Sequence, residues 1–426
     1  MNKILSLPIY CIQLLLIVFL TVLLPFASGS AGVATTELIF GLIFLFLLYN
    51  SILTSFLKKS VVLNSTIFVS SLFFISTIII SLIPAINNGV VISFYFRRAF
   101  PFFLLLAFIT VFNILEIKKE SFIILLSAII LVCAYDSSKI LFSIYRNFDQ
   151  IYLVTNFEEI RTAGNGLLQA SLPIILISLF LTSKSKKARI VLKIALFLSL
   201  LSLIFSFTRS YWFGLFMAIF FLIVALRKED KISLIKVLSF QVSLFASAFL
   251  LLLIFKSDSA IKILIWIKDR LFSATQLSSL PTFIGRFDEI NTILKYIPKS
   301  PIYGFGLGST YNFYNISPFA WGGVGYKDLF YSHNFYAYHL FATGILGLFA
   351  FFFFIVSTIK TGVSTYARKQ SNELNLISIF LSSIIFGALF TSLTSPQFVD
   401  ITSDFVIGLY IGIIAFADKY RITNNL

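Results

Sequence analysis

Long apolar runs recur from one end of the chain to the other, and short polar segments separate them. A helix of about 20 apolar residues spans the hydrocarbon core of a bilayer. Runs of this kind cover approximately residues 8–28, 36–57, 61–84, 97–115, 121–143, 164–182, 190–207, 210–226, 233–255, 334–358, 374–395 and 403–417. The pattern predicts an all-α, polytopic membrane protein with about 12 transmembrane helices.

One connection is long enough to fold, and it covers residues 256–332. We therefore predict a single integral membrane domain made of helices 1–9 (residues 1–255), this large loop, and helices 10–12 (residues 333–426). We interpret the first span as a retained signal anchor rather than a cleaved signal peptide. With an even number of spans, both termini then lie on the same side of the membrane.

The large loop contains three recognisable segments. "DSAIKILIWIKDRLF" (258–272) is typical of a helix that lies in the headgroup region. "GRFDEINTILKYIPKSP" (285–301) predicts an amphipathic helix that starts near Arg286 and ends at Pro298 and Pro301. Its predicted apolar positions are Phe287, Ile290, Ile293, Leu294 and Ile297. "GFGLGS" (304–309) has neither a Walker nor a dinucleotide spacing, so it is interpreted as a flexible turn.

The distribution of charge predicts the orientation. Only 12% of the residues are charged, about half the share of a soluble protein, and basic residues accumulate in alternate connections. These are Lys58, Lys59, Lys118, Lys119, residues 184–189 and 227–231, Lys360, Arg368, Lys369, Lys419 and Arg421. The positive-inside rule places them and both termini in the cytoplasm. Basic inner loops then account for the net charge of +15, and no nucleic-acid partner is expected.

The basic residues at the short outer connections and outer helix ends are all arginines. They are Arg97, Arg98, Arg146, Arg161 and Arg209, with Arg270 and Arg286 in the large loop. Topology requires only positive charge, whereas a fixed fork that grips two oxygens requires arginine. We therefore expect a ligand that carries phosphate or carboxylate groups. The alternative is that these arginines reach lipid headgroups or pair with Asp149, Glu158 and Glu159. That alternative is favoured for Arg146, and the ligand interpretation is favoured for Arg209.

Both histidines of the chain lie in "YSHNFYAYH" (331–339). On a helix, His333 and His339 would point about 120° apart, and no cysteine or further histidine has ligand spacing, so neither a metal site nor a cofactor is expected. Proton transfer suits His333, which lies at the water–membrane boundary. Gly344 and Gly347 would lie within about 40° of His333 and form a groove for a neighbouring helix. His339 is interpreted as aromatic packing.

The spacing of these residues resembles a known family. His333-Asn334, nine residues and then Gly344-x-x-Gly347 is similar to the H-[N/S/Q]-x9-G-x-x-G pattern of the O-antigen ligase and polymerase superfamily. "TRSYW" (208–212) and "GRFDEINTILKYIPKSPIYGFGLGS" (285–309) also resemble segments of that family, and the resemblance covers roughly residues 160–360. It implies a metal-independent glycosyltransferase of the GT-C type, which acts in the bacterial inner membrane in lipopolysaccharide or cell-envelope biosynthesis.

The resemblance also implies roles. The donor would be a glycan on undecaprenyl pyrophosphate at the periplasmic face, gripped by Arg209 and Arg286, while His333 would act on the acceptor hydroxyl and the anomeric centre would invert. We assign substrate binding to the remaining candidates, which are Arg97, Arg98, Arg161 and Asn334. The acceptor would be the lipid A core in a ligase, which the single large loop slightly favours, or a second lipid-linked glycan in a polymerase.

Two other classes of function remain open at this point. One is a transporter or flippase of the same superfamily, although only Asp136 and Lys139 are ionisable deep inside a span, and they can neutralise each other one turn apart. The other is a scaffold for envelope assembly, surrounded by membrane lipids, which would leave the bias towards arginine unexplained.

The predicted orientation can be tested by reporter fusions. Fusions after residues 187, 230 and 365 should report the cytoplasm, because basic residues surround these positions. A fusion near residue 315 should report the periplasm. A cytoplasmic signal at that position would reverse the orientation and move the arginine cluster to the wrong side.

Overall fold

In the computed structural model the chain is described over residues 3–27, 34–57, 65–147, 164–255, isolated positions between 257 and 268, 280–315, 324–368 and 373–424. Over these residues, nine helices are long and apolar enough to cross a membrane. Shorter apolar helices cover Tyr10–Leu23, Gly166–Thr182 and Arg209–Ala225. The all-α, polytopic class is thereby confirmed. Each predicted span overlaps one of these helices, and the count of twelve crossings stays a prediction.

The elements are numbered here in chain order. The helices are α1 (Lys3–Ala27), α2 (Ala34–Leu57), α3 (Thr66–Ile80), α4 (Leu82–Asn87), α5 (Ile92–Leu104), α6 (Ala107–Ile117), α7 (Ser121–Asn147), α8 (Gly166–Thr182), α9 (Lys186–Phe205), α10 (Arg209–Ala225), α11 (Lys228–Phe255), α12 (Leu280–Tyr296), α13 (Phe335–Ala367), α14 (Glu373–Thr391) and α15 (Ile401–Asn424). The strands are β1 (Tyr311–Asn315) and β2 (Gly325–Leu329).

The core of the bundle lies around the two carboxyl-terminal helices. α14 packs against α8, α10 and α13, and α15 packs against α6. α10 and α14 cross closely, since a Cβ on Gly387 would lie 2.5 Å from the Gly214 carbonyl oxygen. The predicted span 97–115 is two helices, α5 and α6, and Gly408 of α15 fits against the turn between them. α11, by contrast, leaves most of its apolar surface exposed, as a lipid-facing helix would.

Among the described residues, basic residues of separate connections lie at one end of the bundle. Arg227 donates hydrogen bonds to the carbonyl oxygens of Tyr366 and Arg368, and Arg368 pairs with Asp418 at 3.3 Å. The course of α10 and α13 places Arg209 and the residues before Phe335 at the opposite end, called here the loop end. This separation agrees with the predicted orientation, which itself stays a prediction.

The large loop contains a β-hairpin that the sequence analysis missed. β1 and β2 pair antiparallel, with Tyr311 opposite Leu329 and Tyr314 opposite Tyr326. The inward face of β1 carries Tyr311 and Phe313, which are buried, and Tyr314 on the other face is exposed. Alternation of this kind is the signature of a half-buried strand. Five alternating residues are too few to distinguish a strand from a loop in the sequence.

The amphipathic helix of the loop is present, but its bounds and its buried face differ from the prediction. α12 begins at Leu280, ahead of Arg286, and gives way after Tyr296 to a 3-10 turn, Ile297–Lys299. Ile293 is fully buried as predicted, whereas Phe287 is 53% exposed and Leu294 48% exposed. The buried face turns instead towards β1 and the start of α13.

The helix α13 is broken at Gly344. Residues 301–309, called here the glycine loop, bind at the break. Gly344 has φ +67°, which opens the helix. The Phe305 and Gly306 amides donate to the carbonyl oxygens of Phe341 and Ala342 at 2.8 Å, and the Ile345 amide donates to Pro301 at 2.9 Å. The prediction of one straight face that joins Gly344 to His333 was therefore wrong. Residues 304–309 do form turns, as interpreted, and Phe305 and Gly306 bind α13 through their backbone.

Gly344→Ala should destabilise the protein. A side chain at this φ costs about 1–3 kcal/mol, and the new Cβ would lie 2.1 Å from the Ile302 carbonyl oxygen. The matched control is Gly285→Ala, where a Cβ meets nothing within 4 Å and alanine favours the helix. Thermal unfolding of both purified variants in one detergent is the measurement. Equal stability of the two variants would contradict the strain argument.

Candidate functional site

The site is built around the amino-terminal end of α13, which Asn334 caps. Its Oδ1 accepts a hydrogen bond from the Ala337 amide at 2.9 Å, and its Nδ2 donates to the Leu393 carbonyl oxygen at 3.0 Å. His333 therefore precedes the helix rather than lying on it, so the 120° estimate for a continuous helix does not apply. The cap and the contact with Leu393 fix the backbone from which His333 projects.

His333 faces a buried carboxylate. Its Nδ1 lies 3.2 Å from Oε2 of Glu289 on α12. The Glu289 side chain is 2% exposed and the His333 side chain is 32% exposed. The Tyr311 hydroxyl lies 2.8 Å from Glu289 Oε1 and 2.8 Å from the Tyr331 carbonyl oxygen, and with one proton it donates to one of them at a time. The hairpin, α12 and the residues before α13 thus meet at this carboxylate.

The tyrosines beside Glu289 hold their protons firmly. Burial raises the pKa of Tyr311, and the adjacent Glu289 carboxylate raises it further. Burial also raises the pKa of Tyr331, with Glu289 acting in the same direction and Arg98 in the opposite direction. Both phenols are therefore neutral near pH 7, and Tyr311 serves as a hydrogen-bond donor.

His339 lies in a different environment. It is fully buried inside α13, and its ring stacks on Phe335 at 5.2 Å and contacts the rings of Phe74, Phe102 and Phe351 at 5.4–5.8 Å. The two histidines thus point to different surroundings. The aromatic packing predicted for His339 is what the structure shows, with phenylalanines as its neighbours.

Arg286 and Arg209 both lie at the loop end. Arg286 is one helical turn before Glu289 on α12, so the two side chains leave neighbouring positions of one helix face. Arg209 is the first residue of α10 and is half-buried. The Thr391 hydroxyl donates a hydrogen bond at 3.3 Å to the carbonyl oxygen of Ser210, the residue after Arg209. Thr391 lies two residues before Leu393, which binds Asn334, so the end of α14 connects the start of α10 to the residue that follows His333.

Arg97 and Arg98 line a small cleft beside the site. The other lining residues are Pro101, Tyr331, Ser332, Tyr338, Pro396 and Val399. The Arg98 guanidinium lies over the Phe330 ring at 4.3 Å from its centre. Since Tyr331 and Ser332 directly precede His333, the cleft adjoins the histidine.

Of the remaining outer candidates, the structure describes only Arg146. Arg161, Asp149, Glu158, Glu159 and Arg270 lie outside the described residues. Arg146 is exposed at the end of α7. Over the part of the chain that the structure describes, no group of three or more His, Cys, Asp or Glu residues is placed to hold a metal ion.

Asp136 and Lys139 form the ion pair that the sequence analysis anticipated, at 3.0 Å. Asp136 also accepts hydrogen bonds from the Asn165 amide and from the side chain of Gln169, which joins α7 to α8. Asp404, in the first turn of α15, is fully buried as well. The sequence analysis did not single it out as an ionisable residue inside a span.

The comparison with protein families matches the central part of the chain. Residues 194–352 match the model of the O-antigen ligase family. The resemblance to the O-antigen ligase and polymerase superfamily is confirmed. The matched segment includes Arg209, Arg286, His333, Gly344 and Gly347, and the match supports an enzyme of the ligase or polymerase type that acts on lipid-linked glycans. None of the curated proteins matches the chain.

Glu289 is the residue that the sequence analysis passed over. Three residues after Arg286 on one helix, it fits an ordinary surface ion pair. The available signal was its position: it lies between Asp288 and Ile290 on the face that also carries the buried Ile293, four residues on. A carboxylate on the apolar face of a helix is a reason to look for a partner from outside that helix.

Proposed function

We propose that the protein transfers a glycan from undecaprenyl pyrophosphate to a sugar hydroxyl at the periplasmic face of the bacterial inner membrane. The acceptor is the lipid A core in an O-antigen ligase, the version that we favour, or a second lipid-linked glycan in a polymerase. The observation that supports the proposal is that His333, Arg209 and Arg286 all fall within the segment that matches the O-antigen ligase family and lie at the same end of the bundle.

The proposed step is a single displacement. The acceptor oxygen attacks the anomeric carbon while the bond from that carbon to the pyrophosphate oxygen breaks, and the electron pair leaves with undecaprenyl pyrophosphate. His333 takes the proton of the acceptor hydroxyl as general base. Attack from the side opposite the leaving group inverts the anomeric centre. No metal ion is required by this scheme, because guanidinium groups compensate the charge of the leaving group.

The arginines have two proposed roles, since some compensate the charge of the donor and others fix its position. Arg209 and Arg286 would hold the pyrophosphate, since a guanidinium presents paired donors that match phosphate oxygens. Arg97 and Arg98 line the cleft beside His333 and would bind the glycan or its phosphate. Arg161 and Asn334 remain proposed substrate-binding residues, and Asn334 would act chiefly by fixing the backbone of His333.

A substitution that preserves charge tests the arginines. Arg209→Lys and Arg286→Lys should each lower glycan transfer at least about tenfold, since lysine supplies a point charge without the fork. Arg146→Lys is the matched control, because Arg146 is an exposed outer arginine outside the proposed site, and it should keep wild-type activity. Transfer is measured in the native host by gel analysis of its surface glycan. Full activity of both site variants would mean that the site needs only positive charge and not the forked geometry of arginine.

The two histidines should differ in their effect on turnover. His333→Ala should lower turnover by roughly two to four orders of magnitude, the range for a lost general base, while binding of undecaprenyl pyrophosphate changes little. His339→Phe should stay largely active, because phenylalanine suits a pocket formed by four phenylalanines. Transfer and binding are measured on the same detergent preparations. An active His333→Ala would refute the mechanism.

A further inference from the structure

The environment of Glu289 is costly and therefore informative. Its side chain is 2% exposed, and removing a carboxylate from water is unfavourable unless strong hydrogen bonds replace the solvent. Two replacements are present, since Oε1 lies 2.8 Å from the Tyr311 hydroxyl and Oε2 lies 3.2 Å from His333 Nδ1. Each carboxylate oxygen therefore contacts a different partner.

The contact with Nδ1 decides which nitrogen of His333 carries a proton. A carboxylate only accepts hydrogen bonds, so the nitrogen that faces it must be the one that bears hydrogen. In the neutral ring the lone pair is then on Nε2. A general base needs that lone pair at the nitrogen that meets the substrate, and carboxylates that hold histidines in this way are known to set tautomer and orientation.

We infer that Glu289 is a positioning residue that holds the proton on Nδ1 of His333 and makes Nε2 the nitrogen that takes the proton from the acceptor. This inference rests on the proposed function. When His333 gains the proton, the Glu289 carboxylate also stabilises the imidazolium at 3.2 Å. The Tyr311 hydroxyl, 2.8 Å from the other carboxylate oxygen, orients the carboxylate.

The test is Glu289→Gln, with Asp288→Asn as the matched control. Glutamine keeps the shape, but its amide can donate to Nδ1 and reverse the tautomer. We expect turnover to fall roughly ten- to a thousandfold with little change in the KM for the lipid-linked glycan purified from the native host. Asp288 is half-exposed on the neighbouring position of α12, so Asp288→Asn should keep wild-type turnover. Glu289→Gln with the turnover of Asp288→Asn would overturn the inference.

A double substitution separates positioning from a general structural role. If Glu289 acts through His333, then Glu289→Gln combined with His333→Ala should be no slower than His333→Ala alone. Losses that multiply would mean that Glu289 supports the protein by another route, which also overturns the inference. An active His333→Ala would instead refute the proposed function, so the two failures are distinguishable.

A spectroscopic measurement on the intact protein needs no variant at Glu289. The chain has 2 histidines, so ¹⁵N-histidine labelling yields two rings, and His339→Phe assigns the one that belongs to His333. A ring nitrogen with a proton and one with a lone pair resonate in separate regions. At a pH where the ring is neutral, the proton of His333 should reside on Nδ1. A proton found on Nε2 would overturn the inference whatever the activities show.

Discussion

Backbone hydrogen bonding at the break in α13 is the constraint on which the site depends. Non-helical backbone inside a membrane protein must find partners within the protein, because lipid supplies none. The break at Gly344 comes nine residues after α13 begins at Phe335, and Pro301–Gly306 supplies the missing partners. The large loop is thereby attached to the bundle at a point only a few residues beyond α12. Glu289 is thus held against the residues that precede α13.

The loop end combines two kinds of electrostatic environment. Glu289 is buried beside Tyr311 and His333, whose hydrogen bonds replace lost solvent. Arg97, Arg98 and Arg209 are exposed or half-buried, as groups that meet a large anionic ligand need to be. In the proposed function, the charge of the donor lies near the arginines and its reacting carbon near the histidine. This arrangement relates the bias towards arginine to the single histidine at the surface.

The agreement between prediction and structure follows the range of the interactions involved. The spans were placed well, because hydropathy over about 20 residues is a local property. The helix of residues 280–296 was anticipated from its periodicity, but its buried face was partly wrong, since Phe287 is exposed. That face is chosen by β1 and α13, which lie later in the chain. The hairpin was missed for the same reason, as its strands are defined by each other.

The sequence alone determined the membrane class, the helical architecture, the accumulation of arginine at the loop end and the candidate His333. Composition, hydropathy and short spacings are local properties, so each segment shows them by itself. Only the tertiary structure decided that α13 breaks at Gly344 and that Glu289 faces His333. Glu289 and His333 are 44 positions apart in the chain. Their contact depends on backbone hydrogen bonds between the glycine loop and α13, and no periodicity within either segment encodes such bonds.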